Sequence, residues 1–164
     1  LLLAPDRSID DLAADAPTTD PATAEVVIVP GGDPGSVIED ERVLSYLRSA
    51  ADRGSVLAGI CAGVLLLGAA GVLAGRSITH NYRRPWAPPE VERFVADYWA
   101  GARVEPDPTV GVVVDGPVIT ALPNATIDFT TTVGHRLGLY SAEQAELLTR
   151  HLRGDFVEEL HQEP

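Results

Sequence analysis

The chain has 164 residues, 45% of them hydrophobic and only 5% aromatic, so one domain with a core of Val, Leu, Ile and Ala is expected. Its net charge of -12 leaves no basic patch to neutralise phosphates, which argues against a nucleic-acid partner. All twelve basic residues are arginine and there is one cysteine, which excludes a lysine Schiff base, a P-loop, an internal disulfide and a cysteine-rich metal site.

Leu1 to Ala4 reads as the end of a strand, and Asp6 to Ala24, rich in Asp, Thr and Pro, reads as an acidic loop with a helical turn at Asp11 to Ala14. Val26 to Val29 is a β-branched strand stopped by Pro30-Gly31-Gly32-Asp33-Pro34-Gly35. The spacing of Val43, Leu44, Leu47, Ala50 and Ala51 predicts an amphipathic helix within Ser36 to Arg53. Val56 to Ile60 then reads as a buried strand, Val64 onward as an apolar helix, and Ser77 to Thr79 as a short strand.

Tyr82 to Tyr98 is irregular, with a helix predicted from Pro89 to Tyr98. Val112 to Val114 and Val118 to Thr120 flank the turn signal Asp115-Gly116 and predict an inserted hairpin. A helix follows from Thr126 to Leu139. Ser141 and Gln144 then form a capping box for a last helix reaching about Leu152. Strands alternating with helices predict an α/β fold, a doubly wound and mostly parallel sheet, in one domain over 1–157 with a solvated tail over 158–164.

The stretch from Gly54 to Gly75 is free of charge and long enough to span a bilayer. A strand plus a buried helix explains the same letters and also the glycines at 59, 63, 68, 71 and 75, so no membrane association is expected. Nothing at the N-terminus resembles a signal peptide, and the single cysteine suits a reducing compartment, so a cytoplasmic location is expected.

Cys61 falls where a strand turns into a helix, flanked by Gly59, Ala62 and Gly63. Such a turn needs small neighbours and points its side chain outward, as at the serine elbow of hydrolase sheets. A helix N-terminus there favours the thiolate, which makes Cys61 the candidate nucleophile. The loop at Gly31 and Gly32 ends the preceding strand at the same sheet edge. Its N–H groups, with that of Ala62, are candidates to hold a developing oxyanion. His80, after Ser77-Ile78-Thr79, is a candidate base or proton shuttle. Tyr82, Arg83, Arg84 and Trp86 follow it, where a pocket wall and a solvated loop fit equally. His135, His151 and His161 receive no role, and Asp128 near a helix start is read as structural.

Val-Ile-Val-Pro-Gly-Gly-Asp-Pro-Gly at 27–35, Ala-Gly-Ile-Cys-Ala-Gly at 58–63 and Ser-Ile-Thr-His at 77–80 resemble the ThiJ/PfpI superfamily. The resemblance implies a flavodoxin-like, class I glutamine amidotransferase-like fold with Cys61 as nucleophile. It also implies oxyanion N–H groups from Gly31, Gly32 and Ala62, with His80 beside the thiol. PfpI-type proteases carry histidine after the cysteine; Ala62 stands here instead, so peptidase activity is not expected. Members also carry an acidic residue on their first strand-helix unit that hydrogen-bonds the cysteine. Leu1 to Asp6 resembles a later strand, and with no methionine in the chain, an N-terminally incomplete domain is expected.

Two functions follow. One is a cysteine-dependent enzyme acting on a small electrophilic carbon, glyoxalase-like or isonitrile hydratase-like, with no metal or organic cofactor. The other is a non-catalytic module, redox-sensing or ligand-binding, since a sensor needs the same reactive thiol. The partner in either case is a small molecule. The superfamily is commonly dimeric, and a homodimer is open on this sequence.

Overall fold

The computed structural model describes residues 26–155 together with Ser8 and Ile9. The expected strand end at Leu1–Ala4, the rest of the acidic loop and the tail over 158–164 lie outside the described residues, as do both limits of the expected domain.

The main sheet has four strands: β1 (Val26–Val29), β2 (Val56–Ile60), β6 (Val118–Ala121) and β5 (Val112–Asp115), in the spatial order β1-β2-β6-β5. β1, β2 and β6 run parallel, with Val27 opposite Leu57 and Ala58 opposite Ile119. The turn at Asp115-Gly116 forms as the sequence predicts, but the hairpin is no insertion. Its second strand, β6, is central and buried along its whole length, and only β5 is antiparallel, at the edge. Among the described residues β1 has one neighbour, β2.

Alternation along the strands sends side chains to two separate cores, as a period of two requires. Leu57 and Val118 face one side with Leu44, Leu47, Val64 and Leu67. Val56, Ala58, Ile119 and Ala121 face the other, with Phe129 and Val133. Helices therefore cover both faces, which is the condition for an all-apolar parallel strand such as β2.

Helix α1 (Glu41–Asp52) crosses from β1 to β2 and buries Leu44, Leu47 and Ala50. Each leucine so buried stabilises the fold by about 2 kcal/mol. The helix starts later than its apolar pattern predicts, because two aspartates divide the segment. Asp33 caps a 3-10 turn at Pro34–Ser36, and Asp40 accepts from the Arg42 N–H at 3.0 Å to start α1. Helix α2 (Ala62–Ala69) is buried almost all round. The region expected as one helix from Pro89 divides into α3 (Pro89–Phe94) and a 3-10 turn at Ala96–Trp99. Helix α4 (Thr126–Arg136) ends before Gly138, whose φ of +71° suits glycine. Helix α5 (Ala142–Arg153) begins with the capping box expected from Ser141 and Gln144.

β3 (Ser77–Ile78) pairs with β4 (Arg103–Val104) as a separate two-stranded parallel sheet. Side chains hang this pair on the main sheet. The Asp115 carboxylate accepts from the Ser77 N–H at 2.7 Å and from Arg103 at 3.0 Å, and Arg76 lies 3.7 Å away. The Ser77 hydrogen bonds and the arginine charges hold the Asp115 carboxyl below its ordinary value. Two residues on, the Thr79 N–H donates to Thr120 Oγ1 at 2.9 Å, and its hydroxyl donates to the Val110 carbonyl at 3.1 Å. These bonds fix the chain just before His80.

Among the described residues, no helix is long and apolar enough to cross a membrane. Gly54–Gly75 instead contains β2, the turn and α2.

Candidate functional site

Cys61 lies between β2 and α2 with φ 56° and ψ -124°. It is the one non-glycine residue with positive φ among the described residues. For a side chain bearing Cβ this costs of order 1–3 kcal/mol, so the surrounding structure must impose it. The Cys61 N–H donates to the Ala121 carbonyl at 3.0 Å, and its own carbonyl accepts from the Val64 N–H at 3.1 Å. The backbone is thus clamped on both sides of the bend.

The small residues around the bend have the steric task their spacing suggests. A Cβ added to Gly59 would lie 2.8 Å from Leu67 Cδ1 and 3.1 Å from the Gly63 backbone. A Cβ on Gly63 would overlap the Val29 carbonyl, so α2 starts directly against the end of β1. A Cβ on Gly31 would lie 2.9 Å from Cys61 Cβ and 3.3 Å from its Sγ. The Pro-Gly-Gly loop and the cysteine therefore meet at the carboxyl edge of the sheet. Gly32 is exposed and faces open space. Ala62, the first residue of α2, is buried, and its N–H is among the donors a helix leaves unpaired. Among the described residues, no carboxylate hydrogen-bonds the Cys61 sulfur.

His80 is buried, with its ring stacked on Trp99 at a centroid distance of 4.3 Å and an interplanar angle of 13°. The Tyr82 N–H donates to His80 Nδ1 at 3.1 Å. A backbone N–H can only donate, so Nδ1 must carry the lone pair and the neutral ring keeps its proton on Nε2. Burial, and secondarily the positive charge of Arg83, lowers the His80 pKa to about 4. The imidazole is neutral at pH 7 and offers a proton rather than a lone pair. Of the two roles expected for His80, base or proton shuttle, the first has no free lone pair on Nδ1 and the second has a proton on Nε2.

A pH dependence of stability follows. The unfolded ring takes up its proton near pH 6.5 and the folded ring only near 4. Between these values the unfolded state binds more protons. His80 therefore leaves the fold fully stable above 6.5 and destabilises it as the pH falls towards 4, by up to about 3 kcal/mol. Thermal melts of the wild type should drop more steeply over that window than melts of His80→Asn. Parallel curves would show that the ring is not held neutral.

Tyr82 is half-buried, its ring 6.3 Å from Trp99 and tilted by 37°. Burial, and then the negative charge of the nearby Cys61 sulfur, pushes its phenol above the ordinary tyrosine value. Arg83 and Trp86 turn instead to the 105–108 loop. Arg83 donates to the Glu105 and Asp107 carbonyls, and Trp86 Nε1 donates to the Pro108 carbonyl at 3.1 Å. Arg84 is exposed. Of the four residues whose place the sequence left open, Tyr82 is the one that joins His80 and Trp99. Trp99 gave no sequence signal, being a lone aromatic in an irregular segment. Asn81 Oδ1, Arg83 Nε and Trp99 Nε1 are buried without hydrogen-bond partners.

A separate polar cavity of about 420 Å³ lies against α4, lined by Thr109, Asn124, Asp128 and Arg153 among others. It includes none of the candidate site residues. Asp128 pairs there with Arg153, in keeping with a structural reading. Among the described residues, no three His, Cys, Asp or Glu side chains converge on a metal position.

The profile of the DJ-1/PfpI family matches residues 2–135. The chain belongs to that family. It is 34% identical over 136 residues to an isonitrile hydratase of Pseudomonas putida, covering 80% of this chain and 55% of that protein. This chain therefore spans little more than half the length of that relative. Among solved structures, Drosophila melanogaster DJ-1beta aligns at 26% identity with a TM-score of 0.65, over 92% of this chain and 71% of that one. A DJ-1 superfamily protein of Agrobacterium tumefaciens aligns at 26% identity and a TM-score of 0.61, over 80% and 65%. Both solved structures share with this chain the α/β fold with a mainly parallel sheet described above.

Proposed function

We propose that this family member hydrates a small electrophilic carbon through Cys61, with an organic isonitrile as the substrate class. The observation that carries the reading is the strained Cys61 backbone with Gly31 packed against its sulfur. A bend costing of order 1–3 kcal/mol is retained where it aims a side chain, and here it sets a partly exposed thiol against the Gly31 loop. The 34% identity to an isonitrile hydratase supports the choice of substrate.

The chemistry balances without an oxidant or cofactor. Cys61 sulfur adds to the terminal carbon of R–N≡C while that carbon takes a proton, giving a thioimidate, S–CH=N–R. Water then adds to the same carbon. The tetrahedral adduct collapses with the sulfur leaving and nitrogen protonated, to release R–NH–CHO. The N–H groups of Gly31, Gly32 and Ala62 hold the negative oxygen of the tetrahedral stage. His80 contributes a fixed N–H donor at the edge of the site.

Incubation with an alkyl isonitrile, followed by chromatography, tests the reading. An N-alkylformamide should form in proportion to protein concentration. Conversion of methylglyoxal to lactate with no formamide from the isonitrile would overturn the substrate class.

A further inference from the structure

β6 carries one hydroxyl in an otherwise apolar strand. Thr120, between Ile119 and Ala121, is fully buried. Valine has nearly the same shape and no polar atom to bury, so a hydroxyl here costs stability unless it is hydrogen-bonded. The bond it makes leads to the candidate site. β3 ends at Ile78, and the next N–H, that of the fully buried Thr79, donates to Thr120 Oγ1 at 2.9 Å in place of a strand partner. The Thr79 hydroxyl donates to the Val110 carbonyl at 3.1 Å. The neighbouring Gly111 carbonyl accepts from the Leu122 N–H at 2.8 Å, just past the end of β6. Thr79 is thus fastened at two points, and His80 is the next residue.

The residue after Thr120 holds the elbow. The Ala121 carbonyl accepts from the Cys61 N–H at 3.0 Å. Two hydrogen bonds and a single residue step along β6 therefore connect the backbone before His80 to that of Cys61. The His80 ring is buried on Trp99 with its Nδ1 taken by the Tyr82 N–H, so its Nε2 proton acts from one fixed place. A donor held in this way helps only where its backbone puts it, and a misplacement of about 1 Å can cost about 100-fold in rate. We infer, resting on the hydration reading above, that Thr120 is a positioning residue whose hydroxyl sets His80 in register with Cys61. Being fully buried, Thr120 touches no substrate; it acts through Thr79 and His80.

Thr120→Val and Thr120→Ser in the full chain test the assignment. Valine keeps the volume and removes the acceptor, while serine keeps the hydroxyl. Thr120→Val should lower kcat for formamide formation by about 30-fold, and Thr120→Ser should stay within about threefold of wild type. In a His80→Asn background the same valine substitution should cost less than about threefold, because the residue it acts through is gone. Thr131→Val removes another buried hydroxyl, one bonded to Thr149 between α4 and α5, and should leave kcat unchanged. A second readout needs no turnover. By NMR of the histidine rings, alkylating Cys61 with iodoacetamide should shift the His80 Nε2 resonance in the wild type and in Thr120→Ser, and far less in Thr120→Val.

A Thr120→Val variant that keeps its kcat, or loses it equally with and without His80, would overturn the inference. So would an equal loss in Thr120→Ser or in Thr131→Val, or a His80 resonance that alkylation shifts alike in the wild type and Thr120→Val. A His80 resonance that alkylation leaves unmoved in the wild type also overturns it, and that outcome depends on no variant. If the wild type makes no formamide, the hydration reading fails, and the NMR comparison still decides whether Thr120 sets His80 against the elbow.

Discussion

Cys61→Ser is expected to lose at least a thousandfold in kcat/KM for isonitrile hydration, about 4 kcal/mol of transition-state stabilisation. The hydroxyl is nearly isosteric with the thiol but ionises too weakly to attack, and His80 has no free lone pair on Nδ1 to activate it. The melting temperature should change little. Cys61→Gly should be equally inactive yet more stable than Cys61→Ser by roughly 1 kcal/mol, because glycine adopts φ 56° without the strain of a Cβ. Calorimetry of the two variants checks this. If the glycine variant is the less stable, the bend is not strained and stability, not chemistry, holds the cysteine there.

Gly63→Ala is expected to destabilise the fold by roughly 3 kcal/mol or more, lowering the melting temperature by about 6–12 °C. The added methyl would overlap the Val29 carbonyl at the end of β1, and backbone cannot swing aside as a side chain can. α2 would have to lift away from β1, separating Gly31 from Cys61 at the same time. Gly59→Ala meets the movable end of Leu67 at 2.8 Å before any backbone and should cost less. A Gly63→Ala variant that melts with the wild type would mean that the elbow tolerates more room than its geometry allows.

The elbow was readable in the sequence because the small residues its steric constraints require cluster locally around Cys61. Gly59, Ala62 and Gly63 sit within two residues of Cys61 and mark the turn, although the contact that requires Gly63 is with the Val29 carbonyl at the end of β1. The same locality made the Asp115-Gly116 turn and the Ser141 capping box legible. What escaped depended on partners distant in the chain. β4 has two residues, too few for any alternation, and exists because it pairs with β3. β3 is held to the main sheet by Asp115 and Thr120, 38 and 41 residues away, through side chains rather than a backbone ladder.

Two strands around a tight turn look alike from either side, so the sequence pattern alone predicts an inserted hairpin. Only the burial of all four β6 residues, set by parallel pairing with β2, separates a central strand from an edge. The chemistry of His80 was likewise hidden. Its place after a strand suggests a base or a proton shuttle, while its tautomer is set by the Tyr82 N–H and its neutrality by burial against Trp99. Neither partner carries a motif.

The central claim is that Cys61 forms a bond to the substrate carbon. Acid-quenched intact mass spectrometry during exposure to an alkyl isonitrile tests it most directly. The account predicts a mass increase of one isonitrile per chain, located on the peptide containing Cys61 and absent from Cys61→Ser. Formamide accumulating while the Cys61 sulfur stays unmodified, at a rate shared by Cys61→Ser, would contradict it.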